Sequence, residues 1–132
     1  MSIPVKLSSV VIAHSLPLVN THLNTVLNTL HFDIKENTNS GIKALKSILI
    51  NNPDVAILDA NLPYLNAIDI IKITIRKELT TKFIVICKNN NEYLFFSERK
   101  RLKTIAIQLN NKNIENSLTT ISASIIDALN TL

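Results

Sequence analysis

Pro53-Asp54-Val55-Ala56-Ile57-Leu58-Asp59-Ala60-Asn61-Leu62-Pro63 is the stretch whose reading decides the fold class. Val55 to Leu58 is apolar at every position, so a strand there needs cover on both faces, as a central strand of a parallel sheet does. Pro53 pushes its predecessor out of the helical region and so closes the segment before it. Asp59 then ends the run with a carboxylate. An acid in that place is either a cap for the following loop or a functional group held on a rigid support.

Outward from this run, the chain alternates short β-branched runs with amphipathic stretches. Ser9 to Ala13 reads as a buried strand. A helix over Pro17 to Leu30 follows, with Val19, Leu23, Val26, Leu27 and Leu30 on one face and Pro17 in its first turn. Phe32 to Glu36 is a weaker, alternating strand near a sheet edge, and Asn37 to Ser40 a turn. Ile42 to Ile50 is a helix with Ile42, Leu45, Ile48 and Leu49 inward, stopped by Asn51-Asn52-Pro53. Beyond Asp59 come a helix over Asn66 to Leu79, a buried strand over Phe83 to Ile86 and a polar loop over Lys88 to Asn91. A charged helix over Glu92 to Leu102, a strand over Thr104 to Leu109 and a helix over Asn113 to Leu129 complete the chain. The last helix carries Ile114, Leu118, Ile121, Ile125 and Leu129 in register. Five strands alternating with five helices predict a doubly wound α/β fold with a five-stranded parallel sheet, in one domain spanning 1–132. Ligands in such folds sit beyond the carboxyl ends of the strands, here at Ala13-His14-Ser15, Asp59, Cys87 and Leu109-Asn110.

Composition narrows the function. With 46% hydrophobic and 18% charged residues, the chain is globular, and no apolar run is long enough to span a bilayer. The single cysteine, Cys87, forbids an intramolecular disulfide, and a reducing cytoplasm is the simplest setting. The net charge of +4 hints at nucleic acid. Yet only Arg99, Lys100, Arg101 and Lys103 cluster, without interleaved aromatic residues, which favours a solvated helix face. Gly41 is the only glycine, which excludes the glycine-rich phosphate loops of P-loop and dinucleotide-binding enzymes.

Two segments carry a resemblance to a known family. Pro53 to Pro63 closely resembles the phospho-acceptor segment of response-regulator receiver domains. Leu65-Asn66-Ala67-Ile68-Asp69 continues the match, with Ala67 where the family usually has glycine. Val11-Ile12-Ala13-His14-Ser15-Leu16-Pro17-Leu18-Val19 resembles the first strand and turn of NarL/LuxR-type regulators, which carry an Asp-Asp pair followed by His-Pro-Leu-Val. The element order agrees over nearly the whole chain. The resemblance implies a flavodoxin-like (βα)5 receiver fold, a place in two-component signal transduction, and Asp59 as the phospho-acceptor position.

The resemblance also exposes departures. Receivers hold Mg²⁺ with an acidic pair, the acceptor aspartate and a backbone carbonyl. They add a lysine after the fifth strand, a Thr or Ser after the fourth, and an aromatic switch residue on the fifth. Here His14 and Ser15 replace the acidic pair, and Cys87 the hydroxyl. Asn110 stands at the lysine position, followed by Asn111, with Lys112 two residues on. Ile107 occupies the aromatic position. Asp59 and the Asn61 carbonyl remain. One carboxylate in place of three is too little to hold Mg²⁺, which gives up water reluctantly, so loss of Mg²⁺ binding is expected, with no other cofactor. His14 and Asp59 are two ligands, too few for Zn²⁺, and a hydrogen bond between them is expected instead. Cys87 reads as a small buried hydrophobe rather than a redox sensor.

The expectation is therefore an atypical, phosphorylation-independent receiver. It is a non-enzymatic interaction module that works as a homodimer or against a protein partner, through the fourth helix, fifth strand and fifth helix. It stands alone or forms the N-terminal part of a transcriptional regulator, without contacting nucleic acid or membrane itself. The alternative is a working receiver that takes a phosphoryl group on Asp59 from a histidine kinase. Phe95 and Phe96, about 100° apart on a helix, cannot enter the same core pocket. One of them is expected partly exposed beside Arg99, as an interface anchor.

Overall fold

The computed structural model describes residues 8–102, 104–109 and 114–131. The apolar run at Val55 forms β3 (Val55–Asp59), buried along its whole length. It pairs in parallel with β1 (Ser9–Ala13) on one side and β4 (Lys82–Cys87) on the other. The edges are β2 (Asp33–Thr38), beside β1, and β5 (Thr104–Gln108), beside β4, giving the order β2-β1-β3-β4-β5. The sequence of β2, Asp-Ile-Lys-Glu-Asn-Thr, carries the charges that discourage one sheet edge from pairing with another.

Helices form the connections: α1 (Pro17–Thr29), α2 (Gly41–Asn51), α3 (Ala67–Arg76), α4 (Asn90–Ser97) and α5 (Ile114–Thr131). Successive strand residues point to opposite faces, and this divides the core in two. On one face Val10, Ile12, Ile57, Ile84 and Ile86 meet Val19, Leu23 and Leu27 of α1 and Ile121, Ile125 and Ala128 of α5. On the other, Val11, Ala13, Ala56, Leu58, Phe83 and Val85 meet α2, α3 and Phe96 of α4. The sheet is thus sandwiched between two helical layers, an α/β flavodoxin-like arrangement.

Several boundaries differ from those the sequence predicts, each for a local reason. β2 runs on to Thr38, because Asn37 and Thr38 still pair with Ile12 and Ala13 across a register shift at Val10/Val11. In α2 the inward stripe is Gly41, Ala44, Ser47 and Ile48, while Ile42 is 50% exposed and Leu49 39%. Small residues win that face because it runs against its neighbours at close range: a Cβ on Gly41 would stand 1.8 Å from the Leu65 carbonyl oxygen. α3 ends at Arg76 rather than Leu79, where Glu78 turns left-handed (φ 58°) and Leu79 N–H returns to the Thr74 carbonyl. The charged helix expected over Glu92 to Leu102 is two pieces, α4 and a 3₁₀ turn over Lys100–Leu102. Asn89 caps α4 by accepting from Glu92 N–H, so the helix starts earlier than its apolar pattern does. The expected start of the last helix at Asn113 lies outside the described residues.

Candidate functional site

In the order β2-β1-β3-β4-β5 the direction of winding reverses between β1 and β3, and the carboxyl ends of these strands flank a crevice. His14, Ser15 and Leu16 continue from β1 into it, Asp59 ends β3, and Ile86, Lys88 and Leu109 close it from β4 and β5, around a cavity of about 190 Å³. Asp59 is only 5% exposed, although both carboxylate oxygens are engaged. Oδ2 accepts the Ser15 hydroxyl at 2.5 Å and the Ser15 N–H at 3.2 Å, and Oδ1 accepts the Asn61 N–H at 3.1 Å. Three neutral donors thus solvate the carboxylate from within the protein, where water would otherwise do so.

His14 plays a different part from the one its sequence position suggests. The expected hydrogen bond to Asp59 is absent: Nδ1 accepts the Leu16 N–H at 3.0 Å and stays 3.8 Å from Asp59 Oδ2. A ring nitrogen that accepts an N–H cannot also hold a proton, so the neutral ring carries its hydrogen on Nε2. Burial lowers the imidazole pKa, and the nearby Asp59 charge opposes this only in part. The contact is therefore one between a carboxylate and a neutral imidazole. Ser15, not His14, is the residue that locks Asp59.

Cys87, at the end of β4, is fully buried, and its thiol donates weakly to the Val85 carbonyl at 3.8 Å. Burial, helped by the negative charges of Glu92 and Asp59, pushes its pKa up to about 12, which leaves it an inert thiol. Asn61 is exposed and enters the site through its backbone N–H. Ile107 lies in the core at 7% exposure, packed among the residues between the sheet, α1 and α5. Asn110, Asn111 and Lys112 lie outside the described residues. Lys88, expected in a polar loop, is the one cationic residue lining the cavity among the described residues. Its backbone N–H donates to Glu92 Oε1 at 2.9 Å, which fixes the turn from which its side chain leaves. The spacing Asn89-x-x-Glu92, a helix-start pattern, was the available signal for that turn.

Away from the crevice, Phe96 is buried at 4% exposure, while Phe95 is half-buried and meets it edge to face with ring centroids 5.1 Å apart. The Arg99 guanidinium lies 3.5 Å over the Phe95 ring and donates to the Phe95 carbonyl at 2.8 Å. Phe95 and Arg99 form one corner at the surface beside β5, over the buried Phe96.

Solved structures show what this architecture is similar to. A LuxR-family DNA-binding response regulator from Staphylococcus aureus aligns over 89% of this chain and 98% of its own, with 24% identity and a TM-score of 0.69. The response regulator domain of Thermotoga maritima CheB aligns over 96% of both chains, with 15% identity and a TM-score of 0.79. The chain has the receiver fold. A CheY-like response regulator receiver domain from Methylobacillus flagellatus agrees, with 24% identity, a TM-score of 0.65 and alignment over 91% of this chain and 99% of its own. No protein-family model matches the sequence, and no curated protein matches it either. Within the receiver fold, the β1/β3 crevice is where Asp59 now stands among Ser15, His14 and Lys88. Among the described residues, no group of three or more His, Cys, Asp or Glu side chains is gathered to hold a metal ion, and no helix is long and apolar enough to cross a membrane.

Proposed function

We propose that this chain is an atypical receiver domain, a signalling module that works through protein contacts and without phosphorylation of Asp59. One observation carries the reading: the Ser15 hydroxyl and N–H both bind Asp59 Oδ2, the position where an acidic pair would otherwise gather around a metal. The donor set does not fit Mg²⁺. That cation wants several oxygen ligands in octahedral array, and here the single carboxylate is already occupied by N–H and O–H groups. Without metal, a phosphoryl group approaching the buried carboxylate meets its charge with no divalent cation between them. The module is then not an enzyme, needs no cofactor and touches neither nucleic acid nor membrane itself. A cytoplasmic setting and a role in transcriptional regulation fit this reading.

The partner face in this reading is α4-β5-α5, with a second copy or a partner helix seated at the Phe95 corner. A half-buried ring under a guanidinium is an apolar anchor with a cationic rim, the usual chemistry of an interface centre. Phe95→Ser should weaken self-association or partner binding by about tenfold or more while the far-ultraviolet spectrum stays native, since truncating a hot-spot anchor costs about 2 kcal/mol or more. Light scattering across a concentration series reads the outcome. Association equal to that of the parent would remove this corner from the interface.

Lys88 favours a second reading. Lys88 lines the Asp59 cavity, and its side-chain charge would supply part of the positive charge that metal and lysine otherwise bring. With catalysis supplied by a histidine kinase, Asp59 would then accept a phosphoryl group.

A further inference from the structure

Most of the large apolar residues of α2 are left outside the core. Ile42, Leu45 and Leu49 recur at intervals of four and three, the spacing at which one helix presents a seam to another. The core takes the flank beside them instead. Gly41, Ala44, Ser47 and Ile48 are buried there, with the Leu65 carbonyl close against Gly41. Leu45 is half-buried, Ile42 and Leu49 are exposed, and Ile50 next to Leu49 is 79% exposed. Single apolar side chains at a surface are ordinary, but a row of them along one helix marks a contact.

Lysine borders the row. At about 100° per residue, Lys46 falls within about 60° of both Ile42 and Leu49, on the solvent side of the seam. Charges in that place decide which helix a seam accepts. Lys43 is exposed one step further round, and α2 itself carries no carboxylate. An apolar seam with a cationic border is complementary to a helix whose own seam is bordered by acids. A second copy of α2 would instead bring lysine toward lysine, with no acid of its own to offer. A bilayer surface fits less well, because Lys46 lies between the seam and Ile50 and interrupts the broad apolar face that sinks into lipid.

We propose that α2 docks an acidic amphipathic helix of a partner protein, its apolar stripe along Ile42, Leu45 and Leu49 and its carboxylates at Lys46 and Lys43. This surface is separate from the Phe95 corner. α2 packs on β1 and β2, whereas α4 packs on β4 and β5, at the other edge of the sheet. The docking of a helix on α2 holds under any reading of Asp59.

A synthetic helical peptide of about three heptads, with leucine along its seam and glutamate beside it, is the probe. Two-dimensional amide NMR of the full chain is the readout. Saturable shifts are expected at Ile42, Lys46, Leu49 and Ile50, with Ser15 and Phe95 unmoved. A twin peptide with lysine for every glutamate should bind about tenfold more weakly at low salt. Leu49→Asp, at an exposed position, should weaken the acidic peptide about tenfold or more in a spectrum that stays dispersed. Leu49→Gln serves if that variant does not fold. Lys46→Glu, which turns an attraction into a repulsion, should weaken the acidic peptide about fivefold and tighten the lysine twin. Phe95→Ser should bind the acidic peptide as the parent does, so that the two surfaces are tested apart. An absence of saturable shifts, shifts that map away from α2, or equal binding of the twin would overturn the proposal. Variants at Leu49 and Lys46 that bind as the parent does would overturn it as well. Light scattering of the protein alone and sedimentation with anionic phospholipid vesicles complete the test. Self-association or vesicle binding that Leu49→Asp abolishes would give the seam to a second copy or to a membrane, against the proposal.

Discussion

At the scale of single residues, the crevice turns on how Asp59 is satisfied. Ser15→Ala leaves Oδ2 with one long N–H contact in place of two donors. Losing a hydrogen bond to a buried charged group costs about 1.5–3 kcal/mol, and urea unfolding should show a loss of that order. A change within about 0.5 kcal/mol, the usual spread for uninvolved surface positions, would mean that the hydroxyl is not what holds Asp59. His14 supplies a pH dependence. Burial lowers its folded pKa beneath the ordinary value of 6.5. Between the two values the unfolded chain binds more protons than the folded one, so stability rises with pH there. His14 therefore contributes fully above the ordinary value, and its contribution is lost as the pH falls through the folded pKa. His14→Asn, which retains an acceptor for Leu16 N–H, should flatten the slope of unfolding free energy below about pH 6.5. An unchanged slope would assign the dependence to another group. The sequence named the residues of this crevice through their place at strand ends, but it paired them wrongly. Which of two adjacent side chains reaches Asp59 depends on the turn into α1, and that turn engages His14 Nδ1 with Leu16 N–H. Lys88 escaped for the same reason, since a lysine in a polar loop shows nothing of the direction in which it leaves the chain.

Helices and turns show a chain that uses glycine once. His31, Asn52, Tyr64 and Glu78 all adopt positive φ without being glycine, and His31 and Glu78 sit just past the ends of α1 and α3. The only glycine is reserved for the N-terminus of α2, where its N–H donates to the Pro63 carbonyl at 3.2 Å and the Leu65 carbonyl blocks any Cβ. Gly41→Ala must therefore push α2 away from the β3–α3 loop. Overpacking of this kind costs about 1–3 kcal/mol, with the upper end expected because the obstacle is backbone. A melting temperature equal to that of the parent would show that the loop yields freely. The rotated stripe of α2 has the same origin. Counting apolar residues puts Ile42 and Leu49 inward, but the close approach of Leu65 admits no side chain at Gly41, and the face buried with it carries Ala44, Ser47 and Ile48. Hydrophobic periodicity finds an element and its length; it does not find the face where small size matters more than apolarity.

For the molecule as a whole, fold class was the most legible property. Val55–Leu58 had to be covered on both faces, and the alternation of strands and helices left few topologies that connect right-handedly. The place of the crevice, beyond the carboxyl ends of the strands, follows from a doubly wound sheet, while the strand order is what the structure adds. Whether the crevice still performs the chemistry of its fold does not follow from them, because that depends on side chains the fold does not require. In the proposed reading, Ser15, His14 and Cys87 leave the sheet intact while they stand as neutral groups where receivers carry acids and a hydroxyl. The account thus rests on Asp59 being held by hydrogen bonds that replace metal coordination, and one measurement tests this most directly. The protein is incubated with acetyl phosphate and Mg²⁺, and its intact mass is compared with that of Asp59→Asn treated alike. The account predicts an unchanged mass for both proteins. Stoichiometric gain of one phosphoryl group by the parent, absent from Asp59→Asn, would contradict it and establish Asp59 as a working acceptor.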